Sequence, residues 1–298
     1  MPSPQHEPAL RFGVNLNVAD PGLGELARTI EGLGYDTIFV PDHLGAPAPF
    51  STAVAVAAAT DRVRVGTYVL NMAFWNPALL AREVATADRF SGGRLTVGIG
   101  AGHMRSEFER AGIAFEPLGR RMARLAEVID ELDGLLTSGD HAPRPVQSPR
   151  PPLLLGGCGD ALLRLAADRA DVLGLSGAWQ RPGHPPGTFR LLSAEETDER
   201  VAFFHAAAGA RAGDVPIDLL LQAVEITDDR RAAACRWSAA LDGELSPEQV
   251  LETPYVLFGT VDEMAAQLAE RRDRYGFAGV TVQFPSYEPF GRVIAAMR

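Results

Sequence analysis

Asp42 and His43 follow Pro41 directly after the apolar run 37–40, and His103 follows Gly98, Gly100 and Gly102 at the end of the run 95–99. Imidazole exchanges a proton near neutral pH, so either histidine suits general acid–base work. A capping Asp beside a surface His, or a His at a helix start, accounts for the same residues without chemistry. Gly156, Gly157, Cys158 and Gly159 lie between an apolar run and a helical stretch. Such a loop can turn backbone N–H groups toward an anion at a helix N-terminus. Cys158 could act there as an activated nucleophile, but the sequence offers it no partner, and a packed thiol is the expectation.

Several chemistries are excluded. The chain has no lysine, so all 28 basic residues are arginine, and Schiff-base enzymes that need a lysine amine are ruled out. The six histidines form no H-x-H or H-E-x-x-H pattern, so no catalytic metal is expected. The dinucleotide fingerprint G-x-G-x-x-G would need glycine where His103 stands. A formal charge of −10 argues against a nucleic-acid partner. No apolar stretch approaches the roughly 20 residues of a membrane span, and no secretory signal opens the sequence. A cytoplasmic, non-membrane protein acting on a small molecule is the expectation.

The elements that must position these residues alternate along the chain. Apolar strands are expected at 12–18, 37–40, 63–70, 95–99, 153–155, 172–175, 217–224 and 280–284. Between them fall helices, including a long amphipathic one at 117–136 and others at 194–208, 247–252 and 261–275. Eight apolar strands alternating with helices point to an α/β fold of the (β/α)8 TIM-barrel type, in one domain spanning 1–298. A doubly wound open sheet is the fallback. Residues 177–188 are too rich in Pro and Gly for regular structure and read as an irregular insertion after strand six. In a barrel the C-terminal strand ends share one mouth. That would gather Asn15, Asn17, Asp42, His43, residues 68–71 and 100–103, the 156–159 loop, Ser176, Gly177 and Gln222.

These residues also carry a family resemblance. YDTIFVPDHL, VRVGTYVLNMAFWNPALLAREVATADRFSGGRLTVGIGAGHMRSEFERAGIAF, PPLLLGGCGDALLRLAADRADVLGL and the late PYVLFGTVDEMAAQLAERRDRYGFAGVTVQF together resemble the bacterial luciferase-like monooxygenase superfamily. Within it they look most like the short members that use the deazaflavin coenzyme F-420. The resemblance implies a TIM barrel with the cofactor ring at the C-terminal mouth, Asp42 and His43 beside it, and Gly102 and His103 flanking it. Tyr68, Val69 and Leu70 would form a bulge in strand three that in relatives often contains a non-proline cis peptide. Gly156, Gly157, Cys158 and Gly159 would hold the cofactor phosphate.

The implied activity is hydride transfer between deazaflavin carbon-5 and a polarised double bond, with His43 or His103 moving the proton. An FMN-dependent monooxygenase and a non-catalytic cofactor-binding relative are the alternatives. Asn15, Trp75, Trp179 and Arg181 are the expected substrate contacts, and a homodimer is the family expectation. Two departures stand out. His103 occupies a position where many relatives carry Trp or Glu. The lack of lysine argues against the sugar-phosphate substrates that some relatives grip with lysines.

Overall fold

The computed structural model describes residues 9–298 except Ala19, Asp140, Pro182 and Pro186. In chain order the strands are β1 (Arg11–Asn15), β2 (Thr37–Val40), β3 (Arg64–Thr67), β4 (Leu70–Asn71), β5 (Leu95–Gly100), β6 (Leu153–Gly156), β7 (Val172–Leu175), β8 (Ala178–Gln180), β9 (Phe189–Leu191), β10 (Ile217–Leu221), β11 (Ala223–Ile226), β12 (Val256–Gly259) and β13 (Phe277–Gln283). The α-helices are α1 (Leu23–Gly32), α2 (Pro49–Ala59), α3 (Pro77–Phe90), α4 (Arg105–Arg110), α5 (Leu118–Thr137), α6 (Asp160–Arg169), α7 (Ala194–Ala208), α8 (Arg230–Ala240), α9 (Pro247–Glu252), α10 (Val261–Tyr275) and α11 (Tyr287–Met297).

The main sheet runs β3-β2-β1-β13-β10-β7-β6-β5-β4, and β3 also pairs with β5, which closes it into a barrel of eight parallel strands. The expected closed barrel is present. Its strands are apolar on both faces because side chains alternate between the barrel interior and the helix layer. The helices begin where local chemistry satisfies their first N–H groups. Ser193 with Glu196, Ser246 with Gln249 and Thr260 with Glu263 form capping boxes, and Asn76 caps α3 just before Pro77. On α5, Leu125, Val128, Ile129, Leu132 and Leu136 form the buried stripe against the barrel.

Four segments depart from the sequence reading. The third strand is not continuous over 63–70, as the apolar pattern alone suggests: β3 stops at Thr67, residues 68 and 69 bulge as the family resemblance implied, and β4 resumes pairing with β5 at Leu70. The seventh strand likewise breaks at Gln222, whose backbone N–H turns to Tyr255 O at 2.7 Å. Its continuation β11 pairs in parallel with β12, a strand between the helices expected at 247–252 and 261–275 that the sequence reading did not include. The insertion after β7 is not wholly irregular, because β8 and β9 flank it as an antiparallel hairpin. The first strand ends at Asn15 rather than at residue 18.

Candidate active site

The site is built at the C-terminal strand ends, and Asp42 organises one side of it. Its Oδ2 accepts the Asn71 backbone N–H at 3.1 Å and the Trp75 indole N–H at 2.9 Å. One carboxylate thereby ties the end of β2 to the turn after β4. Burial raises its pKa, while the Trp75 and Asn71 hydrogen bonds and nearby His43 pull it back. Asn71 in turn caps the 3-10 turn Met72–Phe74, accepting from Ala73 N at 3.2 Å. The Asn71 side chain packs on Gly102, where the backbone is left-handed (φ +72°) and any Cβ would collide with it. That is the physical reason for glycine before His103.

His43 Nδ1 lies 3.0 Å from Glu107 Oε1. Glu107 sits in α4 and is buried. It was not among the residues singled out from sequence, although an acidic side chain in the first turn of the helix after a glycine loop is a readable signal. The His103 ring lies edge to face with His43 at 5.7 Å and with Phe189 at 5.2 Å. It keeps an exposed edge, yet the rings around it and the His43 and Arg121 charges lower its pKa. Neutral imidazole is the form expected at pH 7. Arg121 reaches over from α5 and donates to Gly102 O and, at 3.5 Å, to Ala101 O.

On the other side of the mouth, the Tyr68–Val69 peptide is cis. Asn15 Nδ2 donates to Tyr68 O at 3.3 Å, while Asn15 Oδ1 is buried with no partner. The Val69 side chain overlies Gly100 and Gly156, both of which must lack a Cβ to admit it. Leu70 is fully buried and pairs with Ile99, so it belongs to the barrel wall. The Gly156, Gly157 and Gly159 loop leads into α6, whose first turn has no side-chain cap. Its leading N–H groups are therefore available to an anion.

The remaining candidates are more spread out. Cys158 points inward, its thiol donating to Ala178 O at 3.0 Å, and burial pushes its pKa up to about 12. It is a packed thiol with no thiolate to offer. Trp75 is committed to Asp42 and meets Phe50 edge to face at 5.3 Å. Trp179 lies under Arg200, whose Nη1 reaches Asp160 at the start of α6 at 2.5 Å. Arg181 is engaged by Glu244 at 2.6 Å and Asp242 at 3.4 Å. The structure thus brings together Asp42, His43, Asn71, Trp75, Gly102 and His103, with Glu107 and Phe189 added. Tyr68, Val69 and Asn15 form the adjoining wall. Arg181 sits apart, in its own ion pairs.

The luciferase-like monooxygenase family model matches residues 21–285. The chain belongs to that family. Among luciferase-like relatives, it is 31% identical over 173 residues to the 5,10-methylenetetrahydromethanopterin reductase of Archaeoglobus fulgidus, covering 54% of this chain and 52% of that protein. The chain therefore spans about half the length of that relative. It is 29% identical over 292 residues to an F420-dependent glucose-6-phosphate dehydrogenase of Nakamurella multipartita, covering 89% of this chain and 83% of that one. The coenzyme F420-dependent tetrahydromethanopterin reductase of Methanopyrus kandleri superposes with a TM-score of 0.76 at 16% identity, covering 97% and 100% of the two chains, a likeness of fold. No helix among the described residues is long and apolar enough to cross a membrane.

Proposed function

We propose that this luciferase-like protein is a deazaflavin-dependent oxidoreductase that transfers hydride to or from a small substrate with a polarised C=C, C=N or C=O bond. The observation that carries the reading is the His43–Glu107 pair at the barrel mouth. Glu107 engages Nδ1 at 3.0 Å and leaves Nε2 as the free ring nitrogen. A histidine oriented in this way can hold or move one proton at a defined atom. The residues also fit a flat cofactor. Asn15 Oδ1 is a buried acceptor lacking a donor, of the kind that a ring N–H satisfies, and the uncapped start of α6 suits a phosphate. The name of the Nakamurella multipartita relative, an F420-dependent dehydrogenase, supports deazaflavin over FMN.

When bound, the reduced deazaflavin supplies a hydride equivalent at its carbon-5. The protein's residues do the rest. Asn15 and the 68–69 bulge would line one wall of the ring site, and the 156–159 loop with the first turn of α6 would hold the phosphate. Asp42 keeps Trp75 and the Asn71 turn in place beside His43. His43 Nε2 delivers the proton to the heteroatom or carbon at the far end of the polarised bond, and Glu107 stabilises the imidazolium before delivery. Neutral His103 frames the ring and is not the acid. With no lysine in the chain, any substrate phosphate would have to be met by arginine.

Fluorescence titration with deazaflavin and with FMN tests the cofactor. Binding of deazaflavin is expected; binding of neither overturns the reading, and oxygen consumption with reduced FMN replaces it by a monooxygenase. His43→Ala is expected to leave cofactor affinity nearly unchanged and to cut turnover by about 10²–10⁴-fold. Unchanged turnover removes His43 from the mechanism.

A further inference from the structure

Below the mouth, the inside of the barrel holds a second polar cluster that the proposed reaction does not use. Asp218 on β10 lies beside Gly279 of β13, where a Cβ would collide with Asp218 Oδ2. From above, the Tyr68 ring passes Phe39 edge to face at 5.2 Å, and its hydroxyl comes to rest against Gly174 of β7. Thr281, fully buried on β13, approaches the same carboxylate and fills the space left by Gly13. Glycines on β1, β13 and β7 make the room that these three polar side chains occupy. Both hydroxyls lie within reach of the carboxylate. Even so, Asp218 Oδ1, the Tyr68 hydroxyl and Thr281 Oγ1 are each buried without a hydrogen-bond partner. Buried polar atoms are costly unless they pair, so a cluster of three implies that they serve one another. A cavity of about 60 Å³ lined by Arg11, Arg64, Thr96 and Asp218 adjoins them at the N-terminal end of the barrel, with room for a few waters.

We propose that Asp218 is a positioning residue of the ring site: steadied by Thr281, its carboxylate accepts the Tyr68 hydroxyl and so fixes the wall formed by residues 68–70. The inference rests on the ring-binding reading above. Tyr68 is gripped at both ends, because its carbonyl accepts from Asn15 at the mouth while its hydroxyl is held at the floor. Whatever shifts the hydroxyl therefore shifts the bulge that carries Val69 over Gly100 and Gly156.

The charge of the Asp218 carboxyl matters to this grip. Burial raises its pKa to about 7, opposed by the two hydroxyls and by Arg11. The charged groups around it are Arg11 from β1 and Arg64 from β3, which line the same cavity. From β13 and β7 the residues set against it are Gly279, Thr281 and Gly174, none of them charged. As a carboxylate it accepts both hydroxyls; once protonated it must itself donate one hydrogen, and its hold on Tyr68 weakens. Cofactor affinity should accordingly fall as the pH drops through the neutral range.

The test is deazaflavin binding, followed by fluorescence from about pH 5.5 to 8.5, for the wild type, Asp218→Asn, Tyr68→Phe and the double variant. Ionisations away from Asp218 and Tyr68, the cofactor's own included, are common to all four proteins and cancel when variants are compared. The wild type is expected to lose about five-fold more affinity toward acid pH than either single variant, a span within the usual range for one coupled group. The double variant should bind no more weakly than the weaker single one. The proposal is overturned if Asp218→Asn follows the wild type at every pH, or if the two substitutions act additively. Should Asp218→Asn not fold, Tyr68→Phe against the wild type decides alone: a Tyr68→Phe protein with the full wild-type pH dependence sinks the proposal. Failure of the wild type to bind deazaflavin or FMN is a different result, and it overturns the cofactor reading beneath this one.

Discussion

Two proline-rich stretches, 141–152 and 177–188, look alike in sequence and lie at opposite ends of the barrel. The first precedes β6 and lies against the N-terminal side. The second follows β7, and the β8–β9 hairpin that flanks it lies over the mouth. The connector is held by a buried carboxylate: Asp88, fully buried in the last turn of α3, accepts from Val146 N at 2.6 Å, Gln147 N at 2.9 Å and Gln147 Nε2 at 2.7 Å. Gln147 extends the grip by donating to Leu95 O at 2.8 Å. The hairpin has directional anchors at its base, Arg190 on Glu196 and the Cys158 thiol on Ala178 O, and its outer part rests on softer contacts: the Phe189 ring on His103, Trp179 beneath Arg200 and the Arg181 ion pairs. Directional hydrogen bonds to a buried charge lock one geometry, whereas ring edges and partly exposed ion pairs tolerate movement. The contrast separates a structural strap from a segment that can adapt to what the mouth holds.

Breaking the strap should have the largest effect. Asp88→Ala leaves two backbone N–H groups and an amide without their acceptor, at a cost of about 3 kcal/mol. A thermal scan is expected to show a clear fall in Tm, by roughly 5 °C or more, while the affinity of the folded protein for cofactor stays the same. If affinity falls with Tm untouched, the connector belongs to the site after all and the comparison collapses.

How much of this was legible beforehand follows from the range of each interaction. The barrel could be read because apolar strands and capped helices are local patterns, and the ends of α7, α9 and α10 are set by residues within one turn of them. The break at Tyr68 could be read only through the family resemblance, and the parting of β10 from β11 could not be read at all. Both depend on partners far along the chain, Asn15 for Tyr68 O and Tyr255 for Gln222 N. In the site, the glycines and the Asp42–His43 pair announced themselves by type and position. Glu107 did not, because its meaning comes from His43, 64 residues earlier. Asp88 was equally silent: an aspartate near the end of a helix reads as surface until its distant donors are known.

Phe189→Ala probes the adaptable segment. Phe189 is half-buried, so the loss of stability should stay near 1 kcal/mol, well below that of Asp88→Ala. The informative readout is His103. Desolvation is the first cause of its lowered pKa, and removing the ring admits water, so its titration followed by NMR should move up toward the ordinary histidine value. The sign for stability follows from linkage. With the folded pKa below the unfolded one, the unfolded chain binds more protons across that window, and stability rises with pH through it. Phe189→Ala should flatten that slope. An unmoved His103 titration would mean that the hairpin does not cover the ring.

The smallest effect is expected at Arg181, and it sharpens the comparison from the hairpin side. Its guanidinium is shared between Glu244 and the exposed Asp242, on the turn between α8 and α9. Partly exposed pairs of this kind contribute about 0.5–1 kcal/mol and weaken with salt. Arg181→Ala should lower stability by that amount, Glu244→Gln by a similar amount, and the double variant by hardly more than either. Turnover kinetics then give the discriminating measurement. A guanidinium already committed to two carboxylates has little to give a substrate, so KM should stay within about two-fold of the wild-type value, the pattern of a group outside the transition-state contacts. A large rise in KM for Arg181→Ala that Glu244→Gln does not reproduce would mean that Arg181 leaves its ion pairs to meet the substrate. The hairpin would then be part of the binding site itself and not only its cover.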